Sequence, residues 1–263
     1  MTVLVQRTLQ DGVATLALNR PETLNGLGPD LMTAMATALH ACTDDERTRA
    51  IVLTGAGRAF SAGGDIGWFG EVLAGGPAHA QGEIGRFMAD TANPLTQAIA
   101  ECRVPVVSAV NGACAGGAVG IALAADVVLA ARSAYFLVPQ VSQLGIVPDL
   151  GATWALSRLV GRSRALGMAL LGERIDAAQA EQWGLIWRCV DDADLLEQAQ
   201  VLARRLGGTS AAAVRDTRCL IDAAPVNTLA QQLGAERTAQ LPHVAGDFFN
   251  TACARFLARA GRH

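Results

Sequence analysis

Two Ala-Gly-Gly triplets, Ala62-Gly63-Gly64 and Ala115-Gly116-Gly117, each follow a short apolar run of β type and each precede a segment able to start a helix. The runs beginning at Ile51 and Val106 read as one repeated strand-turn-helix unit, and a few turns of such a unit make a layered α/β core. Glycine at these points lets a ligand approach the backbone, so each triplet can offer an unblocked N–H. Two such donors converging on one point suit chemistry that builds negative charge on a carbonyl oxygen.

The 263 residues are 51% hydrophobic and only 17% charged, enough for one large domain or a core with an appendage and consistent with burial of surface by partner subunits. All 21 basic residues are arginine, scattered along a chain of net charge -3, which argues against a nucleic-acid partner. The absence of lysine excludes Schiff-base chemistry, pyridoxal phosphate attachment and a Walker-type phosphate lysine. Cys42, Cys102, Cys114, Cys189, Cys219 and Cys253 show no metal-type spacing, and the N-terminus lacks a basic stretch followed by an apolar one. The expectation is a reduced, cytoplasmic protein. The uncharged stretch from Val104 to Ala125 imitates a membrane span, but Pro105, the turn pair Asn111-Gly112 and the glycines divide it into a strand and a helix.

Strands are expected at Val3 to Val5 and Val13 to Leu18 around a turn at Asp11-Gly12, then at Ile51 to Thr54, Val127 to Ala130 and Phe136 to Val138. A helix opens at Pro29-Asp30 with Leu31, Met35 and Leu39 on one stripe, and a second carries Ile84, Phe87, Met88, Thr91, Leu95 and Ile99. The Gly-rich stretch from Gly67 to Gly85 reads as a mobile loop. From Asp194 onward the pattern is helical, through Leu195 to Leu206, Val214 to Ile221 and Thr228 to Gln240.

Candidates for chemistry are few. His40, His79, His243 and His263 have no carboxylate or cysteine at ligand spacing, and Ser61 has no evident base. Glu71 and Glu83 read as solvated, and Asp65 as the cap of a helix that Ile66 begins. Asp149 stands before the helix expected from Thr153 to Leu159, where an Asp ordinarily caps.

The segments Arg58-Ala59-Phe60-Ser61-Ala62-Gly63-Gly64-Asp65-Ile66 and Val110-Asn111-Gly112-Ala113-Cys114-Ala115-Gly116-Gly117 resemble the two signatures of the crotonase (enoyl-CoA hydratase/isomerase) superfamily, and the likeness covers nearly the whole chain. It implies an α/β spiral of ββα repeats over residues 1–193 and a helical trimerisation region over 194–263, assembling as trimers or dimers of trimers. It further implies an acyl-CoA substrate, with coenzyme A entering as part of that substrate and no separate cofactor, metal, nucleic acid or membrane partner. By position, the Gly64 and Gly117 amides correspond to the oxyanion hole. Adenine is expected against the backbone of Ala62, Asp65 and Ile66, and phosphates near Arg20, Arg58 or a neighbouring subunit's arginine.

The family's hydratases activate water with two glutamates, and this chain has Gly120 and Gln140 at those positions, neither able to exchange a proton near neutral pH. Ile146-Val147-Pro148-Asp149-Leu150-Gly151-Ala152-Thr153-Trp154 is similar to the epoxyphenylacetyl-CoA isomerase branch, which implies that Asp149 is the acid/base, within an apolar pocket of Val141, Val147, Leu150 and Trp154 that raises its proton affinity. An isomerase is therefore expected, against three alternatives: an enoyl-CoA hydratase, a member using Asp149 as a nucleophile, and a non-catalytic acyl-CoA-binding member.

Overall fold

The computed structural model describes residues 3–260. Strands β1 (Val5–Gln10) and β2 (Val13–Leu18) form an antiparallel hairpin, closed by Asp11 at φ 51° and Gly12 at φ 78°. Left-handed backbone at both central residues matches the twist of the flanking strands. Helix α1 (Pro29–Asp44) starts with proline in its first turn and buries Leu31, Met35 and Leu39, the expected stripe.

From here the chain visits two sheets in alternation. Strand β3 (Ala50–Gly55) pairs parallel with β2, and β4 (Ala59–Ser61) begins a second sheet. Helices α2 (Ile66–Ala74), α3 (Pro77–Phe87) and α4 (Asn93–Ala100) follow, the last two joined by a wider π-helical turn at Met88–Ala92. Strand β5 (Val106–Val110) returns to the first sheet, β6 (Ala113–Ala115) to the second, and α5 (Gly117–Leu123) closes that unit. Strands β7 (Val127–Ala131) and β8 (Tyr135–Leu137) repeat the step before α6 (Ala152–Leu159). This is a spiral of ββα units. Every side chain of β5 is buried, as a parallel strand covered on both faces requires, which explains why its run carries no polar alternation.

Helix α7 (Gly161–Leu171), strand β9 (Ile175–Asp176), helix α8 (Ala177–Trp183) and strand β10 (Arg188–Val190) complete the layers. The first sheet runs β1-β2-β3-β5-β7-β10 and the second β4-β6-β8-β9.

The region from Gly67 to Gly85 is helical rather than a loop. Asp65 caps α2, Gly76 turns at φ 87° into Pro77 of α3, and Trp68 packs on Phe69 and Phe87 with ring centroids 5.2 and 4.8 Å apart. Gly70, Gly82 and Gly85 have open space where a side chain would stand, so glycine content there does not signal a break.

Two compact units divide between Gly207 and Gly208. The first ends with α9 (Leu195–Gly207), which lies on β2, β3, β5 and β7 through buried Leu195, Ala199 and Ala203. Its small residues seat the helix closely, so this first helical segment of the C-terminal pattern belongs structurally to the spiral. The second unit holds α10 (Ala211–Ala223), α11 (Leu229–Val244) and α12 (Asp247–Ala260). Thr228 caps α11 reciprocally with Gln231, while α12 had no counterpart in the sequence reading.

Candidate active site

The two triplets leave adjacent parallel strands, because β4 and β6 pair with Ala59 beside Ala113 and Ser61 beside Cys114. Gly63 at φ 95° and Gly116 at φ 58° then turn the chains against each other. A Cβ on Gly63 would stand 2.8 Å from the Ala115 carbonyl oxygen, and one on Gly116 3.6 Å from Gly63 Cα. Glycine is what lets these backbones meet.

The amides around Gly64 are almost all committed. Ala62 N–H donates to Leu24 O (2.9 Å), Gly63 N–H to Ser61 Oγ (3.2 Å) and Asp65 N–H to Leu27 O (3.3 Å). Ser61 Oγ–H in turn donates to Asn25 O at 2.7 Å, which makes this serine a backbone strut instead of a nucleophile. Gly64 N–H donates to no group among the described residues. Likewise Gly116 N–H donates to Leu137 O (2.9 Å), while Gly117 opens α5 and its N–H has no partner among the described residues. The first N–H groups of a helix cannot bond within it, and they carry the positive end of its dipole.

Asp149 reaches this place from a loop. Leu150 at φ 48° and Gly151 at φ 81° hold left-handed backbone, and the N-cap position of α6 is Gly151, without a side-chain bond. The aspartate therefore does not cap; only its carbonyl meets Ala152 N–H, at 2.9 Å. Its Oδ1 would be 3.1 Å from a Cβ on Gly117, so the carboxylate lies beside the second free amide's residue. Gln140 Nε2 donates to the same oxygen at 3.3 Å. Burial raises the proton affinity of Asp149, opposed by the Gln140 hydrogen bond and its own backbone amide.

The pocket expected around it is partly corrected. Leu150 is buried, with Cδ1 2.8 Å from where a Cβ of Gly117 would stand, but Val147 and Trp154 are 75% and 49% exposed. Trp154 faces outward under the Arg158 guanidinium, 4.0 Å above its ring. Of the four expected neighbours, Leu150 is thus the buried one and Val141 is half-buried.

Gly120, one turn into α5, underlies the same loop. A Cβ there would collide with the Leu150 carbonyl oxygen and stand 2.7 Å from the carbonyl carbon and 3.1 Å from Ala152 N. The backbone that delivers Asp149 fills the space a side chain at position 120 would need.

Asp65 is a cap, as expected. Its Oδ1 accepts from Gly67 and Trp68 amides at 2.9 and 3.2 Å, and its Oδ2 from Arg20 at 2.5 Å. Burial works against its ionised form, but Arg20 and the two amides outweigh it and hold the carboxyl below its usual range. Arg20 and Asp65 line a cleft of about 590 Å³ with Gly28, Gly67, Trp68 and Glu71. Ala62, Ile66 and Arg58 are exposed, and Arg58 pairs with no carboxylate among the described residues.

Two residues escaped the sequence reading. Asn25, fully buried at φ 56°, donates to the carbonyls of Ala56, Ala59 and Phe60 and accepts from Arg20 N–H, tying β4 to the turn before α1. Its signal was the dipeptide Asn25-Gly26, since asparagine tolerates left-handed backbone. Phe69, whose ring edge covers the side of Gly64 where a Cβ would project, gave no signal beyond its apolar type. The histidines lie elsewhere: His40 and His79 are exposed, His243 meets Asp216 at 2.9 Å in the second unit, and His263 falls outside the described residues. All six cysteines are free, and among the described residues no cluster of metal-type ligands occurs and no helix is long and apolar enough to cross a membrane.

Known proteins resemble this chain in sequence and fold. The chain is 41% identical over 252 residues to the 1,2-epoxyphenylacetyl-CoA isomerase of Escherichia coli, covering 95% of this chain and 94% of the relative. It is 39% identical over 237 residues to a Rhodobacter capsulatus protein named "Probable enoyl-CoA hydratase", covering 90% and 88%. The solved structure of an enoyl-CoA hydratase from Polaromonas sp. JS666 superposes with a TM-score of 0.87 at 31% identity, over 97% of both chains. The family model for enoyl-CoA hydratase/isomerase matches residues 8–259, so the chain belongs to that family and has the crotonase fold.

Proposed function

We propose that this protein is an acyl-CoA isomerase, shifting a double bond or rearranging a ring epoxide of the 2-(1,2-epoxy-1,2-dihydrophenyl)acetyl-CoA type. The observation that carries the reading is the lone carboxylate of Asp149 beside Gly117, with Gly120 and Gln140 where a hydratase has two acids. The thioester oxygen sits between the Gly64 and Gly117 amides. Asp149 removes a proton from the neighbouring carbon, the electron pair moves onto that oxygen, and the proton returns elsewhere on the conjugated system. For an epoxide, the same electron flow opens the strained ring. No water is added, so one acid/base suffices. Each amide donor contributes about 3 kcal/mol to the barrier reduction.

The raised proton affinity of Asp149 supports this role, because a carboxylate that binds its proton more tightly is the stronger base toward the C–H bond beside the thioester. Coenzyme A enters with the substrate, its adenine on the backbone of Ala62, Asp65 and Ile66 and its phosphates near Arg20 and Arg58. Assembly as trimers or pairs of trimers is part of the same reading, supported by exposed Val226, Leu229, Phe256 and Leu257 in the second unit.

The deciding experiment compares deuterium exchange beside the thioester, double-bond shift in 3-enoyl-CoA substrates, and water addition to crotonyl-CoA. Asp149→Asn is expected to abolish the first two. Normal turnover in that variant, or hydration as the faster reaction of the wild type, would refute the isomerase. The 39% identity to a protein named as a hydratase is why hydration belongs in the comparison.

A further inference from the structure

Gln140 is only 4% exposed, and its amide is half used. Nε2 donates to Asp149 Oδ1 at 3.3 Å, whereas Oε1 is sealed from solvent and has no hydrogen-bond partner. A buried acceptor without a donor is costly, and a sealed one cannot be served by bulk water. Turning the amide by half a rotation would exchange its ends. It would also set oxygen against oxygen at Asp149, so the observed orientation is the one that an ionised aspartate selects. A protonated aspartate can pair with either end, and the turned amide gives its O–H an acceptor in Oε1.

Among the described residues, Gln140 is the one other side chain that bears on the aspartate's carboxyl. Only burial, Gln140 and the residue's own backbone bear on it among the described residues, and no charged side chain from α5, α6 or the turn at Gln140–Leu144 acts on it. Oδ1 is also the oxygen that lies against Gly117.

We infer that Gln140 is a positioning residue for the reaction, its amide N–H holding the Asp149 carboxylate toward Gly117 before proton abstraction and its sealed oxygen accepting from the carboxylic acid formed afterwards. The inference rests on Asp149 being the acid/base. In the first half-reaction the C–H bond beside the thioester breaks, its electrons pass to the thioester oxygen, and the proton forms an O–H on Asp149. In the second, that proton returns to carbon and the carboxylate is restored. Gln140 gains and loses none.

The test is the pH dependence of deuterium exchange beside the thioester for wild type, Gln140→Met, Gln140→Glu and Asp149→Asn. Gln140→Met fills similar volume without either hydrogen-bonding end. Its acid limb should move about one unit to higher pH, a tenfold gain in proton affinity, and its plateau should fall about tenfold. Gln140→Glu places a second carboxyl beside the first and should move the limb further the same way, which also covers a methionine variant that fails to fold. A limb that stays in place in both variants, or a loss equal at every pH, overturns the inference while leaving Asp149 as the base. Exchange that survives in Asp149→Asn overturns the parent reading instead.

Discussion

Gly120→Ala adds one methyl group to α5, and in most helices that change would stabilise. Here the new Cβ would stand 2.7 Å from the Leu150 carbonyl carbon and collide with its oxygen. Carbon atoms prefer to be roughly 3.5–4.0 Å apart, so the loop must withdraw by about 1 Å. Backbone atoms cannot rotate aside as a side chain can. Since Asp149 immediately precedes Leu150, the carboxylate moves with it, and a displacement of about 1 Å costs on the order of 100-fold in rate. That factor corresponds to roughly 2.7 kcal/mol of barrier. Overpacking should also cost about 1–3 kcal/mol of stability, against the ~1 kcal/mol that alanine gains over glycine by helix propensity. Gly167→Ala is the control, because Gly167 lies within α7 with nothing within 4 Å of its added Cβ. The assay is kcat for deuterium exchange beside the thioester, together with urea unfolding of both variants. Gly167→Ala should gain stability at unchanged kcat, and Gly120→Ala should lose both. A Gly120→Ala enzyme with wild-type kcat and raised stability would refute the idea that close packing at this glycine positions the base.

Asp149→Asn should unfold at higher temperature than wild type, with the gap widening as pH rises. The folded-state pKa of Asp149 is raised by burial, so its ionised form destabilises the fold once pH exceeds the ordinary carboxylate value and stability falls through that window. A gap that stays constant as pH rises above the ordinary carboxylate value would count against this. Asp65→Ala should destabilise by about 1–3 kcal/mol in urea unfolding, through loss of the α2 cap and of a partner for the half-buried Arg20. The sign with pH is opposite to that of Asp149: the pKa of Asp65 is lowered, so its contribution is present above the ordinary carboxylate value and disappears as pH falls through the folded value. Gly117→Ala should reduce turnover by at least tenfold with little change in overall fold, because its Cβ would press on Leu150 Cδ1 at 2.8 Å and Asp149 Oδ1 at 3.1 Å; unchanged exchange kinetics would contradict the placement of the base. Gly120→Glu combined with Gln140→Glu should gain no hydration of crotonyl-CoA, and a measurable gain would mean the loop can yield to a side chain.

What could be read from residues alone follows a physical division. The strands β3 and β5 and the helix α1 announce themselves because burial leaves an apolar run or stripe in the sequence. The triplets announce themselves because close backbone approach at Gly63 and positive φ at both Gly63 and Gly116 favour glycine. The short strands β6 and β9 carry too few residues to show alternation, and α12 presents Phe248, Phe256 and Leu257 outward, so no core stripe marks it. Gly70, Gly82 and Gly85 misled for the opposite reason: they sit on open helix faces, where glycine costs stability without forcing a turn. At the site, the identity of Asp149 was visible but its freedom from capping was not. That depended on Leu150 and Gly151 taking left-handed backbone, which lifts the side chain away from the α6 amides.

The same backbone explains why the changes at Gly120, Leu150 and Asp149 belong together. A leucine at φ 48° is held at a cost of roughly 1–2 kcal/mol, which persists only where surrounding contacts over-determine it. Those contacts are the Leu150 side chain on Gly117 and its carbonyl over Gly120, both possible only because α5 presents glycine at each point. A glutamate on α5 and an aspartate on this loop are therefore alternatives for one volume, not independent catalytic groups that can be added to each other. The loop brings its carboxylate against Gly117 and fills the space that a side chain on Gly120 would need. On the proposed isomerase reading, that packing at Gly120 is what favours moving a proton over adding water.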